Sequence, residues 1–340
     1  MEVATINRFR ENLQEKRKAL NNWFAFTPPE HRQMHLGTAD ENQFTEHLHV
    51  IDGVIARSGD ETFGLCDVCH LYIGVQHLEM DYTASVCIDH FSEPEVRQLE
   101  RELELAQSVQ RALLPQNIPP IPGLELAAFS RPAQFVGGDI FDFLQFRDGA
   151  YGLVVADVSG HGVSAGLIMA SLQTALRTLV PINYDPCAII DQLQHIYQHN
   201  INLTLFITLL LGRFDMANRR FSYVSAGHNP PLLINNTGRL AWLAPTGAAI
   251  GLVEGAQYRR ESCLLETGDV LVFYTDGVTE AMNPLRQMFG EERLAETVAG
   301  QRNLPASQIV TRLRQRVESF SEGQPLSDDA TIVVCKVIPD

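Results

Sequence analysis

The first part of the chain carries apolar residues at partly helical spacing. One such pattern covers residues 4–23 and a second covers residues 39–57, and Pro28 and Pro29 lie between them. Because proline cannot continue a helix, the pattern predicts two helices that are joined near this point. We therefore expect a helical hairpin, which would be either a solvated bundle without activity of its own or a partner-binding arm.

Residues 92–115 predict a single helix. Ser92 and Glu95 have the spacing of a capping box, and Pro115 ends the pattern. The apolar positions lie three or four residues apart in most cases, at Val96, Leu99, Leu103, Ala106 and Leu113. About three heptads fit into this length, which favours a short parallel homodimer over packing of the apolar stripe on the next domain. In either arrangement the helix links the segments before and after it.

Beyond about residue 120 the pattern changes to short apolar stretches rich in β-branched and aromatic residues. These stretches predict strands at residues 123–129, 151–156, 205–214, 220–226, 232–235, 270–274 and 331–337. Helices are predicted at residues 164–179, 186–198, 291–296 and 306–320. Many consecutive strands and long connections favour an α+β layered sandwich of antiparallel sheets with helices outside, over a doubly wound parallel sheet.

Length and composition narrow the classes of protein that fit this pattern. The chain has 340 residues, of which 45% are hydrophobic, and we expect it to divide into residues 1–91, 92–115 and 116–340. The formal net charge of −15 argues against nucleic acids and anionic membranes as partners. The longest apolar run, residues 203–211, is too short to cross a bilayer. We find no signal-peptide pattern at the start, and six cysteines do not make a disulfide framework, which together indicate a cytoplasmic protein.

Two short segments have the ligand spacing of a zinc site. Two residues separate Cys66 from Cys69, and two separate Cys87 from His90. This spacing lets each tight turn direct both of its side chains at one metal ion, so the two segments predict a tetrahedral Zn²⁺ site. His70 and His77 are alternative fourth ligands. Because protein side chains would fill every coordination position, the site should be structural; the alternative is a set of free cysteines beside a surface histidine.

Aspartates at the ends of predicted strands form a second candidate metal site. Asp157 ends the strand at residues 151–156 and precedes a loop containing Gly160 and Gly162. A carboxylate is costly to bury without a proton, a partner or a metal ion, and glycines let the backbone approach what it binds. Similar corners contain Asp139 and Asp142, Asp276, and Asp328 and Asp329. We expect these corners to meet at one sheet edge, where oxygen ligands suit Mg²⁺ or Mn²⁺.

Residues 62–91 resemble the zinc finger of the DksA/TraR family. The match includes both cysteine segments, Gly74 after the first and the Leu78-Glu79 pair before the second. His90 stands where that family usually has a cysteine, and the Pro28-Pro29 tip lacks the acidic motif with which family members act inside RNA polymerase. The resemblance therefore implies a zinc module that is used for sensing or docking.

Residues 106–337 resemble the SpoIIE/RsbU-type serine phosphatases of the metal-dependent protein phosphatase (PPM) superfamily. The matching motifs, in chain order, lie at residues 107–115, 136–142, 157–162, 225–231, 274–280 and 328–331. The resemblance implies a PPM-type sandwich of two antiparallel sheets. The implied ligands of two Mn²⁺ or Mg²⁺ ions are Asp139, Asp157, Asp276 and Asp328, together with the backbone carbonyl of Val158. Asp157 would bridge the ions, and Asp139 would bind directly or through water. Asp329 is a further implied metal ligand, although Asp329 and Asp142 match the motifs less well than their neighbouring aspartates.

The resemblance also implies a reaction and a partner. The reaction is hydrolysis of a phosphoserine or phosphothreonine monoester by metal-activated water, without a phosphoenzyme. The usual substrate in this family is a phosphorylated anti-sigma-factor antagonist, a small STAS-domain protein, which here would act in trans. The N-terminal module and the linker helix would regulate activity, and the helix at residues 164–179 is the place where the linker would act on Asp157.

Other functions remain as alternatives. The chain would be a catalytically silent PPM-fold binding protein if the aspartates held no metal, or a transcription regulator if the zinc module bound RNA polymerase. A cysteine phosphatase is disfavoured because Cys187, Cys263 and Cys335 lack a glycine-rich phosphate loop. His161 and His228 would contact either the substrate or only a loop carbonyl.

Overall fold

A computed structural model describes most of the chain. Its described residues are 93–160, 162–200, 205–253, 255–324 and 326–339, preceded by residues 10, 13–14, 17–18, 21, 48–49, 51–56, 64–73, 86–87 and 90. The chain forms two compact units, Met1–Glu102 and a second that begins at Leu103. The boundary falls within a helix that is predicted at residues 92–115.

The first unit contains helical positions on both sides of the prolines. Residues 51–56 are helical, Ile51 and Val54 are fully buried, and Arg17 forms an ion pair with Asp52. A small knuckle follows at residues 64–73, where the Cys66 N–H donates to the Leu71 carbonyl over 2.8 Å. The predicted hairpin tip, Pro28-Pro29, lies outside the described residues.

The linker helix, α1, spans Glu93–Leu113. It agrees with the prediction to within two residues at each end, although the capping residue Ser92 lies outside the described residues. Its apolar stripe is only partly covered, since Leu99 is 48% exposed and Val96, Leu103, Ala106 and Leu113 are half-buried. The predicted homodimer contact would use this stripe, and part of the stripe is accessible to a partner in the structure.

The second unit contains two five-stranded antiparallel sheets. Their strands are β1 Leu124–Arg131, β2 Ile140–Gln145, β3 Tyr151–Val158, β4 Ile207–Asp215, β5 Arg220–Ala226, β6 Leu232–Ile234, β7 Leu240–Trp242, β8 Glu261–Leu264, β9 Val270–Tyr274 and β10 Ala330–Val337. Sheet one has the order β1-β10-β9-β6-β7, and sheet two has the order β2-β3-β4-β5-β8. The predicted α+β sandwich of antiparallel sheets is confirmed, and the prediction missed β2, β7 and β8.

Helices cover the outer faces of both sheets. They are α2 Val163–Leu179, α3 Pro186–Asn200, α4 Asp276–Thr279, α5 Gly290–Gln301 and α6 Ala306–Ser321, with a 3₁₀ turn at Val180–Ile182. Helices α2 and α3 pack on sheet two, whereas α5 and α6 pack on sheet one. A third apolar cluster, which includes Val155, Phe221 and Phe273, fills the space between the sheets. Three layers of core thus hold the strand ends in place.

Helix α2 and the turn after it are apolar enough in composition to be compared with a membrane span. Among the described residues, the segment Val163–Ile182 is the one that has the required length and hydropathy. Met169, Leu172 and Leu176 on this helix are fully buried in the cluster against sheet two. Packing within the domain therefore accounts for part of the apolar character of this helix, while Leu167 on its outer side remains 69% exposed.

Candidate metal centre

The predicted aspartates lie where the two sheets face each other. Asp139 directly precedes β2 and Asp157 is the last but one residue of β3, so both belong to sheet two. Asp276 begins α4 and is separated from the end of β9 by one residue, and Asp328 and Asp329 precede β10, so these three lie at strand ends of sheet one. The expectation that all corners meet at the edge of one sheet is wrong, because β2 and β3 belong to sheet two whereas β9 and β10 belong to sheet one. The carboxylates converge across the sandwich instead.

Asp139 is held by hydroxyl groups from sheet one. Thr275 Oγ1 and Thr331 Oγ1 each donate a hydrogen bond of 2.7 Å to Asp139 Oδ2. The other oxygen, Oδ1, is buried and has no hydrogen-bond partner among the described residues. Burial, followed by the charge of Asp157, raises the pKa of Asp139 well above its usual value. An orphaned buried oxygen of this kind fits a cation ligand.

Burial and neighbouring carboxylates raise the pKa values of both Asp157 and Asp276. Burial raises the pKa of Asp157 to about 8, with further contributions from Asp276, Asp328 and Asp329. Burial also raises the pKa of Asp276 to about 6, followed by the charges of Asp328 and Glu280. Every charged group that contributes to these two shifts is acidic. Oxygen ligands in this number and with this charge suit hard divalent cations such as Mg²⁺ or Mn²⁺.

Asp329 binds the loop that carries Asp139. Its Oδ1 accepts a hydrogen bond of 2.7 Å from the Ala133 N–H, and its Oδ2 accepts one of 2.6 Å from the Gly138 N–H. A Cβ atom on Gly137 would lie 2.3 Å from Asp329 Oδ2, so glycine is required for this approach. Both oxygens of Asp329 are thus used to position the loop that carries Asp139. The Asp328 side chain makes neither of these two hydrogen bonds.

Val158 and Asp142 have different environments. The Val158 carbonyl oxygen lies 2.6 Å from the position of a Cβ on Gly138, which brings the β3 end against the loop before β2. Asp142 lies apart from the aspartate cluster in its contacts, because its Oδ2 accepts a hydrogen bond of 2.7 Å from Arg177 Nε. Of the two aspartates in this motif, Asp139 is therefore the one that lies beside the other carboxylates.

Of the two histidines in the predicted motifs, the structure describes His228. His228 is buried, and its Nδ1 lies 2.9 Å from Thr208 Oγ1. Burial lowers its pKa to about 3, so the imidazole is neutral. His161 lies outside the described residues.

The structure also brings together the four predicted zinc ligands. Single ligand atoms of Cys66, Cys69, Cys87 and His90 all lie within 4.8 Å of one another. Cys69 Sγ lies 3.6 Å from Cys87 Sγ, and Cys66 and Cys87 are buried. Three thiols and an imidazole at this separation fit tetrahedral Zn²⁺. His70 is not part of this cluster, and His77 lies outside the described residues.

Among the described residues, this Cys/His set is the one group with all its ligand atoms so close together. The aspartate oxygens lie farther apart.

Comparison with known proteins assigns the family. The profile described as "Stage II sporulation protein E (SpoIIE)" matches residues 147–338. The chain therefore belongs to the SpoIIE family, and its second unit contains a protein serine/threonine phosphatase domain of the SpoIIE and RsbU type. The predicted resemblance to PPM phosphatases is confirmed, whereas the DksA/TraR resemblance stays a prediction that rests on the cysteine cluster.

Individual relatives agree with this assignment. Protein IcfG of Synechocystis sp. is 28% identical over 260 residues, which cover 68% of this chain and 41% of IcfG. The protein named phosphoserine phosphatase RsbU, of Bacillus subtilis, is 27% identical over 248 residues, which cover 71% of each chain. The structure of the SiaA-PP2C domain of Pseudomonas aeruginosa superposes with a TM-score of 0.63 at 22% identity, over 71% of this chain and 98% of that domain. It shows that the fold is PP2C-like.

Proposed function

We propose that this chain hydrolyses phosphoserine or phosphothreonine monoesters in a protein, with two Mg²⁺ or Mn²⁺ ions at the interface of its sheets. The observation that carries this proposal is the convergence of buried carboxylates from both sheets, with raised pKa values and an orphaned Asp139 oxygen. The proposed ligands are Asp139, Asp157, Asp276 and Asp328, with the Val158 carbonyl and with Asp329 supporting the loop. Two divalent ions, when bound, would neutralise the phosphate charge and activate a water molecule for attack on phosphorus.

The residues around the ligands prepare the site for these ions. The hydroxyls of Thr275 and Thr331 fix one oxygen of Asp139 and leave its other oxygen for a cation. Asp329 holds the loop through two backbone N–H groups. The cysteines of this domain are unsuited to form a phosphoenzyme, since Cys335 is fully buried in β10 and burial raises its pKa. Direct attack by water is the mechanism that fits these residues.

The proposed substrate is a phosphorylated STAS-domain anti-sigma-factor antagonist that binds in trans within a partner-switching pathway. This part of the proposal is supported by the motif resemblance and by similarity to a protein that is named a phosphoserine phosphatase. The proposed organisation is a helical arm and zinc module at residues 1–91, a linker helix at 92–115 and the phosphatase domain at 116–340. We place the protein in the cytoplasm, as a homodimer through the linker helix.

Contacts of α1 support regulation through the linker. Gln110 Nε2 donates to the Gly137 carbonyl over 2.6 Å, and the Gly137 N–H donates to Gln110 Oε1 over 3.0 Å. Gly137 lies two residues before Asp139. At the end of the helix, the Leu113 carbonyl accepts hydrogen bonds from Gln173 and Arg177 of α2. The linker therefore contacts the metal-binding loop directly, in addition to the helix that the sequence indicated.

The experiment that tests the activity compares phosphate release by the native chain and by Asp157→Asn. The substrates are an aryl phosphate and a phosphoserine protein, each with and without Mn²⁺. Asp148→Asn is the matched control, because Asp148 lies outside the cluster and pairs with Arg213. We expect Mn²⁺-dependent release that Asp157→Asn abolishes and Asp148→Asn retains.

If the native chain released no phosphate, it would be either inhibited by its N-terminal module or catalytically silent. A truncated variant distinguishes these two explanations. Deletion of residues 1–91 restores activity if the N-terminal module is inhibitory. If that deletion also remains inactive, the chain is a catalytically silent PPM-fold binding protein and the proposed function is wrong.

A further inference from the structure

A cavity of about 290 Å³ lies between sheet one and helix α6. Its walls are mostly apolar and include Phe129 of β1, Ile332 of β10, Val317 of α6 and Leu326. Pockets for whole drug-sized ligands start at about 300 Å³, so this cavity has room for one or two side chains.

The cavity and the candidate metal centre share two chain segments. Val278 and Ala330 line the cavity, and they follow the proposed ligands Asp276 and Asp328 by two residues each. In β10, the side chains of Thr331 and Ala330 point to opposite faces, as neighbouring residues of a strand do. Thr331 bonds Asp139 over 2.7 Å, whereas Ala330 lines the cavity. The cavity and the candidate metal centre therefore lie on opposite sides of the first residues of β10. The cavity is on the side that faces α6.

The charged residues of this cavity are mainly cationic. Arg131 is exposed, and it pairs in register with Ala330 across the strands β1 and β10. The Arg314 guanidinium lies 5.4 Å from the centre of the Phe129 ring, and its Nε lies 3.8 Å from Glu318. Glu318 also lines the cavity and is paired with Arg314, so Arg131 supplies the excess positive charge of the lining. This combination is complementary to an apolar side chain with a carboxylate beside it.

We infer that this cavity binds an apolar side chain of the phosphoprotein substrate, next to an acidic residue, while the phosphorylated residue occupies the metal centre. The inference rests on the proposed phosphatase function and specifies the sequence around the phosphorylated residue. Adjacent layers of a protein lie about 10 Å apart, which about three extended residues span. The apolar residue is therefore the third residue on one side of the phosphoserine.

The test uses the full chain with Mn²⁺ and synthetic phosphoserine peptides. One pair of peptides carries Phe three residues before or after the phosphoserine, with Glu beside the Phe, and the matched pair carries Ser in place of Phe. We expect the kcat/KM of one Phe peptide to exceed that of its Ser counterpart about tenfold, since the Phe side chain gains free energy when its apolar surface is buried in the cavity. Equal values for both pairs overturn the inference.

Variants of the chain locate the effect. Arg131→Glu reverses a charge at the cavity without changing its apolar walls, and Arg316→Glu makes the same change at an exposed position of α6 that does not line the cavity. We expect Arg131→Glu to lower the preference for the Phe-Glu peptide about fivefold, and Arg316→Glu to leave it unchanged. Phe129→Ala should lower it as well. If the native preference persists in both Arg131→Glu and Phe129→Ala, the peptide binds elsewhere and the inference is wrong.

The outcomes separate this inference from the proposed function. Turnover of the aryl phosphate together with equal turnover of all peptides preserves the phosphatase and overturns the cavity assignment. If the chain hydrolyses neither substrate, fluorescence anisotropy of the same peptides decides the assignment by itself. Tighter binding of one Phe peptide supports it, and equal binding refutes it.

Discussion

Replacement of Asp157 by Asn should stabilise the metal-free protein while it abolishes metal binding. The Asp157 carboxyl has a pKa of about 8 in the folded chain and 3.8 as its ordinary value. Between these two values the folded state holds a proton that the unfolded state has released, so stability falls as pH rises through this window. Since each unit of pKa shift corresponds to about 1.36 kcal/mol, the loss at pH 7 is at most about 4 kcal/mol. Asparagine is neutral and nearly isosteric, and it removes this loss.

The assay is thermal unfolding of both proteins in EDTA at pH 7 and at pH 5, followed by the same measurement in Mn²⁺. In EDTA we expect Asp157→Asn to unfold up to about 10 °C higher than the native chain at pH 7. The difference should shrink at pH 5, because pH 5 lies only about one unit above the ordinary pKa of 3.8 and little of the stability loss has accumulated there. Mn²⁺ should raise the unfolding temperature of the native chain alone, because only that chain binds the ion in its folded state.

Two results would refute this reasoning. One is a variant that is less stable than the native chain in EDTA at pH 7, and the other is a difference that does not change with pH. Asp148→Asn is again the control, because its exposed carboxylate pairs with Arg213 and its removal should bring no gain.

Three further predictions follow from the contacts. Gln110→Ala removes both hydrogen bonds to the metal-binding loop, so the Mn²⁺ concentration for half-maximal aryl phosphate hydrolysis should rise about tenfold, whereas Gln98→Ala, on the same helix, should leave it unchanged. The buried His228 has a pKa of about 3, whereas its ordinary value is 6.5, so below pH 6.5 the unfolded chain binds a proton that the folded chain does not. The native chain should therefore lose about 2 kcal/mol more stability between pH 6.5 and pH 5 than His228→Asn does, as measured by denaturant titration. Cys69→Ser should lower the zinc content, measured by elemental analysis of the purified chain, while Cys187→Ser, outside the cluster, should retain it; equal zinc in both variants would contradict the proposed site.

Local patterns were sufficient for much of the fold. The strands with long apolar runs, such as β4 and β9, and the helices with sustained periodicity, such as α2 and α6, lie where the sequence predicts them. The missed strands β7 and β8 have three and four residues and are largely exposed. They form because a neighbouring strand, β6 for β7 and β5 for β8, offers hydrogen-bonding groups, and no apolar pattern is needed for that.

The amino-acid sequence by itself determined the chemistry of this protein, and tertiary structure decided which residues carry it out. Ligand type and spacing are local properties, so the Cys66/Cys69 and Cys87/His90 segments and the aspartate corners were visible without a fold. The division of the corners between two sheets was not visible, because strand pairing joins residues far apart in the chain.

The same reason explains the roles within each aspartate pair. Asp139 and Asp142 are only three residues apart, yet one is buried beside Asp157 and the other is paired with Arg177. Neighbouring positions on a strand face opposite sides, and only the packing of helices and sheets decides what lies on each side. Residue types therefore indicated a phosphatase with candidate metal ligands, while long-range packing decided which aspartates converge, which loop the linker contacts and where the cavity lies.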